Sequence, residues 1–264
     1  MADGTDEDFW GAMCDPAVVN APVPPVPAPR LVVGGTRARD VGLLRRALDE
    51  VLGASLAARP DGGAGSSRRA AGPKDREVAG SAEAAIVERS TTSAPADAPL
   101  EWSLLVPIGP DEDPAVVRAD LVGRLDDVSE RTDLILRTSG STTGTGSLVA
   151  MSASALAASA RAAHSRLGGP GTWVLTLPAH HVAGLQVLVR SLLAGTRPVV
   201  VDTAGGFKPG ALTSGLERAL ASAAGGPVYV PLVPTQLLRV LDEPPAAAVL
   251  ARASAVLVGG AAAD

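Results

Sequence analysis

From residue 100 onward the chain alternates short apolar runs with amphipathic stretches, and no other feature restricts its fold as strongly. Strands are predicted at 103–106, 133–137, 173–177, 198–202, 228–231 and 255–258, and helices at 114–125, 153–166, 182–193, 210–223 and 234–242. Strands separated by helices of this length pair in parallel, because the crossover helix carries the chain back to begin the next strand in the same direction. Val199-Val200-Val201 and Val256-Leu257-Val258 are continuous apolar runs, the pattern of strands buried on both faces. Upstream, Leu31-Val32-Val33 followed by Gly34-Gly35 reads as a strand and turn. Residues 40–52 read as a helix capped by Asp40, with Leu43, Leu44, Ala47, Leu48, Val51 and Leu52 at helical spacing. The fold class expected is α/β with parallel sheets.

Two segments fall outside this rhythm. Residues 1–29 are acidic and then proline-rich (Pro22, Pro24, Pro25, Pro27, Pro29), a composition that favours an extended lead-in; a PxxP ligand is the functional alternative. Residues 53–98 are rich in Gly, Ala, Ser and Arg with balanced charge, and read as a flexible insertion in which Ile86 and Val87 mark at most a short helix.

Composition removes several function classes. The net charge is −5, and Asp3, Asp6, Glu7, Asp8 and Asp15 precede the first basic residue, Arg30, so the remainder is neutral and offers no basic footprint for a nucleic-acid backbone. Aromatic residues make up 2% of the chain, too few for a base-stacking platform. The single cysteine, Cys14, permits neither an internal disulfide nor a cysteine zinc site. The start is acidic rather than signal-like, and no apolar run approaches the ~20 residues of a membrane span, so a cytoplasmic setting is expected. Nothing in the sequence sets an oligomeric state.

In parallel sheets ligands gather at the carboxyl ends of strands. The loops after 137, 177, 202, 231 and 258 are therefore the places to look, and three carry unusual residues. The first, Arg137 to Ser147, holds Thr138, Ser139, Gly140, Ser141, Thr142, Thr143 and Gly144 between a strand and a helix starting near Ser152. Glycines permit close backbone approach and hydroxyls donate to anions, so this is a candidate phosphate cradle; a plain polar turn is the alternative. It lacks the Gly-Lys-Ser/Thr of a Walker A loop and the spacing of a dinucleotide fingerprint.

The second is Leu177 to Leu185, with His180 and His181 adjacent. Adjacent histidines are a poor zinc signature. His181 suits contact with a carbonyl or carboxylate, acid–base work, or simple capping of the next helix. His164, the remaining histidine, reads as a helix-face residue beside Arg161 and Arg166. The third is Val256 to Ala261, where Gly259-Gly260 lets a flat ligand lie against the backbone or merely turns the chain. No nucleophile elbow is present, and no catalytic triad can be assembled.

Taken together, these loops resemble the N-terminal domain of the adenylate-forming superfamily of acyl-CoA synthetases and ligases. Thr138-Ser139-Gly140-Ser141-Thr142-Thr143-Gly144 is similar to its phosphate loop, His181-Val182-Ala183-Gly184 to its His-x-x-Gly, Val233-Pro234-Thr235-Gln236-Leu237 to its Val-Pro-Thr-x-Leu, and Gly259-Gly260-Ala261 to its Gly-Gly-Ala. Order and spacing agree over 133–261, and residues 164–199 are most similar to actinobacterial o-succinylbenzoate–CoA ligases.

The resemblance implies ATP-dependent activation of a small-molecule carboxylate, o-succinylbenzoate, as an acyl-adenylate, followed by transfer to CoA in menaquinone biosynthesis; Mg²⁺ would accompany ATP. It implies that residues 138–144 contact the ATP phosphates and that His181 touches the acyl group with Gly184 beside it. Gly259, Gly260 and Ala261 would line the acyl and adenine pocket near Thr235. The alternatives are another acyl- or aryl-CoA ligase, or a non-catalytic nucleotide-binding remnant.

Two departures stand out. Thr145-Gly146-Ser147 replaces the family's Pro-Lys-Gly after a loop lengthened by one threonine, so the phosphate-binding lysine is missing. The Tyr-Gly-x-Thr-Glu motif with its Mg²⁺ ligand and the C-terminal lid domain have no counterpart before Asp264. The expectation is thus a partial N-terminal domain over 30–264, incomplete at its C-terminus.

Overall fold

The computed structural model describes residues 29–58, 104–126, 128–129, 131–138 and 146–260, with the side chains of 55–58 excepted. The acidic tail, most of the predicted insertion with Ile86 and Val87, the loop residues Ser139 to Gly144, and Ala261 lie outside the described residues.

The elements in chain order are β1 (Arg30–Val33), α1 (Ala38–Ala58), β2 (Leu105–Ile108), α2 (Pro114–Leu121), β3 (Leu134–Arg137), β4 (Leu148–Met151), α3 (Ala153–Leu167), β5 (Thr172–Leu175), α4 (Val182–Leu193), β6 (Val199–Val200), α5 (Pro209–Ser222), β7 (Val228–Leu232), α6 (Pro234–Leu241), α7 (Pro244–Leu250) and β8 (Ala255–Val258). They form two four-stranded sheets, ordered β1-β2-β3-β4 and β6-β5-β7-β8. The second sheet is parallel throughout.

The packing alternates helices and sheets in layers, and strand pleating explains it. Leu105, Leu134, Trp173, Leu175 and Tyr229 point into a core between the sheets, filled by Leu44 and Leu48 of α1, Leu156 of α3 and Leu185 and Leu188 of α4. Their neighbours face the other way. Val106 and Ile135 pack on Val117 and Leu121 of α2, whereas Val174 and Val230 pack on Leu216 of α5, Val240 of α6 and Leu250 of α7. Each sheet therefore has helices on both faces, the layered α/β class that the alternation predicts. Tyr229 fills the central layer beside Trp173, with ring centroids 5.0 Å apart, and shares its hydroxyl proton between the carbonyls of Leu167 and Gly169.

Four expectations need correction. Parallel pairing fails once, because β3 and β4 are antiparallel. Beyond the paired residues the Thr138 N–H donates to the Ser147 carbonyl at 2.9 Å, and the helix begins only after β4. Ser152 does cap that helix, accepting from the Ala155 N–H.

The runs at 199–201 and 256–258 are not uniformly buried. β6 and β8 are the outer strands of their sheet and are half-covered, whereas the inner strands β5 and β7 are buried throughout. Asp40 sits in the first turn of α1 rather than before it, since that helix starts at Ala38 and runs past 52 to Ala58. Finally, α7 went unpredicted, its alanine- and proline-rich sequence giving little amphipathic signal.

Candidate functional site

The Gly34-Gly35 turn after β1 joins the two sheets. The Gly34 N–H donates to the Ile108 carbonyl, and the Gly35 carbonyl accepts from the Ala179 N–H beyond β5. A Cβ on Gly34 would lie 2.6 Å from Leu44 Cδ2 and 3.1 Å from the His180 nitrogen, so a side chain there would have to displace Leu44 and crowd the His180 backbone. Beyond β6, Asp202 accepts from the Thr36 hydroxyl (3.3 Å) and from the Ala204 N–H (2.9 Å), adding a second tie.

These ties bring the carboxyl ends of β1, β2, β3, β5 and β6 around one cleft of about 620 Å³. Its wall includes Thr36, Glu112, Arg137, Thr138, His180 and His181. The loops after β1 and β2 were not among the strand ends singled out by sequence, and they supply Glu112. Glu112 accepts from the Gly109 N–H at 2.5 Å and pairs with Arg137 at 2.6 Å. Burial works to raise its pKa, but the Gly109 N–H, the Arg137 guanidinium and nearby His180 outweigh burial and hold it below the usual carboxylate value.

The histidine pair divides its duties. His180 is half-buried, and its pKa is lowered, first by burial and then by His181; the Gly34 backbone and Glu112 oppose this only in part. Its imidazole is therefore neutral at pH 7 and able to accept or donate a hydrogen bond. His181 is exposed, with its ring centroid 4.3 Å from that of His180. It holds the N-cap position of α4 but makes no side-chain capping bond, which leaves its imidazole available to the cleft. Gly184 lies one turn into α4, where a Cβ would come 2.3 Å from the Pro178 carbonyl oxygen; its absent side chain lets the helix press against the 178–181 turn.

Thr138 also reaches the cleft wall, at the neck of the candidate phosphate loop. Its hydroxyl donates to the Ser147 carbonyl and accepts from the Ser147 N–H, both at 3.2 Å. Arg124 braces the far side of the neck by donating to the Gly146 carbonyl while paired with Asp120. The remaining sequence candidates sit apart from the cleft wall. Gly259, Gly260 and Thr235 are exposed at the ends of β8 and β7. Gly260 has φ +91°, and its would-be Cβ lies 3.3 Å from Val233. Gln236 links this corner to β5, accepting from the Val233 N–H and donating to the Thr176 carbonyl.

His164 lies in α3 as expected, on its buried face, whereas Arg161 and Arg166 are exposed. Its pKa is lowered by burial and then by the charge of Arg190. Glu112 and the ion-paired role of Arg137 escaped the sequence reading. A Pro-Asp-Glu-Asp turn directly after a strand was the available signal.

Chemically, the cleft offers the guanidinium groups of Arg37 and Arg137, two imidazoles and the hydroxyls of three threonines as donors to a carboxylate or phosphate, together with the carboxylates of Asp40, Asp111 and Glu112, which an anion must avoid or displace. An incoming anion would compete with Glu112 for Arg137. Among the described residues no group of three or more His, Cys, Asp or Glu side chains is placed to hold a metal ion, and no helix is long and apolar enough to cross a membrane.

No family model matches the chain. A probable 2-succinylbenzoate–CoA ligase of Mycobacterium tuberculosis is 42% identical over 156 residues, covering 56% of this chain and 39% of the relative. Among solved structures, O-succinylbenzoate coenzyme A synthetase of Bacillus subtilis in complex with AMP matches at 25% identity and a TM-score of 0.40, over 50% of this chain and 31% of that one. Escherichia coli MenE with bound OSB-AMS matches at 25% identity and a TM-score of 0.42, over 61% and 39%. The chain spans well under half the length of the curated relatives it matches. Over the shared stretch the chain is similar to a probable 2-succinylbenzoate–CoA ligase, in line with the resemblance that its motifs carry.

Proposed function

We propose that this chain supplies part of an ATP-dependent acid–CoA ligase acting on o-succinylbenzoate in menaquinone biosynthesis, in a cytoplasmic setting. The observation that carries the reading is the 42% identity over 156 residues to a ligase bearing that name. The cleft supports it by placing Arg37, Arg137, Thr138, His180 and His181 together at the carboxyl ends of strands.

The reaction has two displacements. A carboxylate oxygen of the substrate bonds to the α-phosphorus of ATP as the bond to pyrophosphate breaks. The sulfur of CoA then bonds to the acyl carbon as AMP leaves and the thiol proton is released. The first step requires two anions to meet, so its catalysis consists largely of holding both and offsetting their charge.

In this reading the backbone and hydroxyls of Thr138, Ser139, Gly140, Ser141, Thr142, Thr143 and Gly144 donate to the phosphates, with the neck braced by Ser147 and Arg124. His181 donates to the acyl substrate from the cleft rim, over a turn kept tight by Gly184. Gly259, Gly260 and Ala261, with Thr235 nearby, offer flat backbone to the adenine and acyl groups. Arg137 adds positive charge where the family's loop lysine is replaced. Among the described residues no cluster of side chains is placed to hold Mg²⁺.

The test is ATP–pyrophosphate exchange by the purified chain with o-succinylbenzoate, alongside calorimetric titration of each substrate. Exchange that depends on o-succinylbenzoate would support the reading, and His181→Ala should then raise the KM for the acid about tenfold, the loss of one useful hydrogen bond. Exchange with other carboxylates alone would move the assignment to a different acyl- or aryl-CoA ligase. Saturable ATP binding without exchange would leave only the nucleotide-binding remnant. Absence of both exchange and binding would overturn the reading.

A further inference from the structure

A second groove, of about 720 Å³, runs between α1 and the outer edge of β6, away from the cleft just described. Arg39, Arg45 and Arg46 line one side and Arg197 the other, and no acidic residue contributes to its wall. None of these arginines makes an ion pair among the described residues. Arg39, Arg46 and Arg197 are exposed, whereas Arg45 Nε is buried without a hydrogen-bond partner. Four unpaired guanidinium groups around one groove repel one another unless an anion joins them.

The size and spacing of the charges favour an extended occupant over a single small anion. Arg39 and Arg46 are seven residues apart on one helix, a separation of about 10 Å. The chain itself contains a segment of opposite charge and suitable length. Asp3, Asp6, Glu7, Asp8 and Asp15 precede every basic residue, and they account for the entire net charge of −5.

The connection also permits it. Arg30 at the start of β1 pairs with Glu50, one helical turn beyond Arg46 on α1. The tail therefore leaves the fold beside the groove. Residues 16–29 can bridge up to about 45 Å when extended, several times the distance along α1 that separates these arginines. A tethered segment also meets its site at an effective concentration in the millimolar range, so individually weak charge pairs suffice.

We propose that the acidic segment 3–15 docks in the arginine groove between α1 and β6. This surface is independent of the ligase reading, and the two stand or fall separately.

The single cysteine makes the test direct, because Cys14 lies within the acidic segment. A nitroxide attached to Cys14 of the full chain should broaden the backbone amide signals of Gly42, Leu43, Arg46 and Val200 at about 20 mM salt. That broadening should vanish near 0.5 M salt, where the screening length shrinks to a few ångströms. Neutralising the tail (Asp3→Asn, Asp6→Asn, Glu7→Gln, Asp8→Asn and Asp15→Asn) should reduce the broadening to the level of the remaining surface. Arg46→Glu with Arg197→Glu should do the same without disturbing the core, since both side chains are exposed. Broadening centred elsewhere, broadening unchanged by either set of substitutions, or none at low salt would overturn the proposal. So would inorganic pyrophosphate shifting these amides while the label leaves them unbroadened, which would assign the groove to free anions.

Discussion

The ends of β5 and β8 lie on the same edge of one parallel sheet, yet they are built in opposite ways. The β5 end is closed in by neighbours: Gly34 and Gly35 pack against it, α4 presses on Pro178, and the Glu112–Arg137 pair lies across from the half-buried His180. The β8 end is exposed backbone, its Gly259 N–H reaching the Leu232 carbonyl at 3.3 Å and its Gly260 touching little beyond Val233. The position of a strand explains the difference. β5 is interior and adjoins the other sheet through the Gly34-Gly35 turn, while β8 is an outer strand. A preorganised, charged site therefore forms where two sheets meet, and an outer strand end contributes only a surface against which something else can rest.

Gly184→Ala should break the closed end most severely. With its new methyl 2.3 Å from a backbone oxygen, α4 must move, and a loss of about 1–3 kcal/mol is expected in urea denaturation. An unchanged midpoint would mean that the close approach does not hold the 178–181 turn. Gln236→Ala probes the most firmly held part of the open end. It removes the partner of the Val233 N–H and a contact to Thr176, for about 1 kcal/mol by the same measurement.

The charged groups of the closed end sharpen the comparison through pH. The His180 pKa is depressed, so the unfolded chain binds its proton first and stability declines as pH falls below 6.5 toward the folded value. His180→Gln should flatten that decline in melts between pH 5 and pH 7.5. Glu112 has the opposite character. Its lowered pKa contributes stability above the unfolded value of 4.5, and the contribution fades as pH falls through the folded value. The stability gap between wild type and Glu112→Gln should therefore be widest near neutrality and narrow in acid. Gly259→Ala, with open space around its would-be Cβ, should change stability by less than about 0.5 kcal/mol. A larger loss there would show that the open end is more tightly held than its contacts indicate.

Much of the fold was legible because its signals are local. The helix over 182–193 and the strand over 255–258 follow from apolar spacing alone, and the structure places both at those bounds. β4 was illegible because its residues 148–151 pair only with β3, and their half-exposed Leu-Val-Ala-Met pattern carries no strand signature of its own. The candidate site was legible in part. His181 and Thr138 were found by motif and do share the cleft wall. Glu112 was not found, since an acidic turn residue looks solvated until a turn from β1, far away in sequence, closes over the same cleft.

The sequence by itself determined the alternation of strand and helix, the glycines at strand-end turns, the resemblance to acyl-CoA ligases and the concentration of negative charge before Arg30. These depend on residue type and near-neighbour spacing. Tertiary structure alone decided which strands lie inside, that Arg137 is paired with Glu112, that His180 is kept neutral while His181 stays exposed, and that Arg39, Arg45, Arg46 and Arg197 face one groove. Those properties arise from burial and from distances between residues remote in the chain, and both are set only when the layers pack.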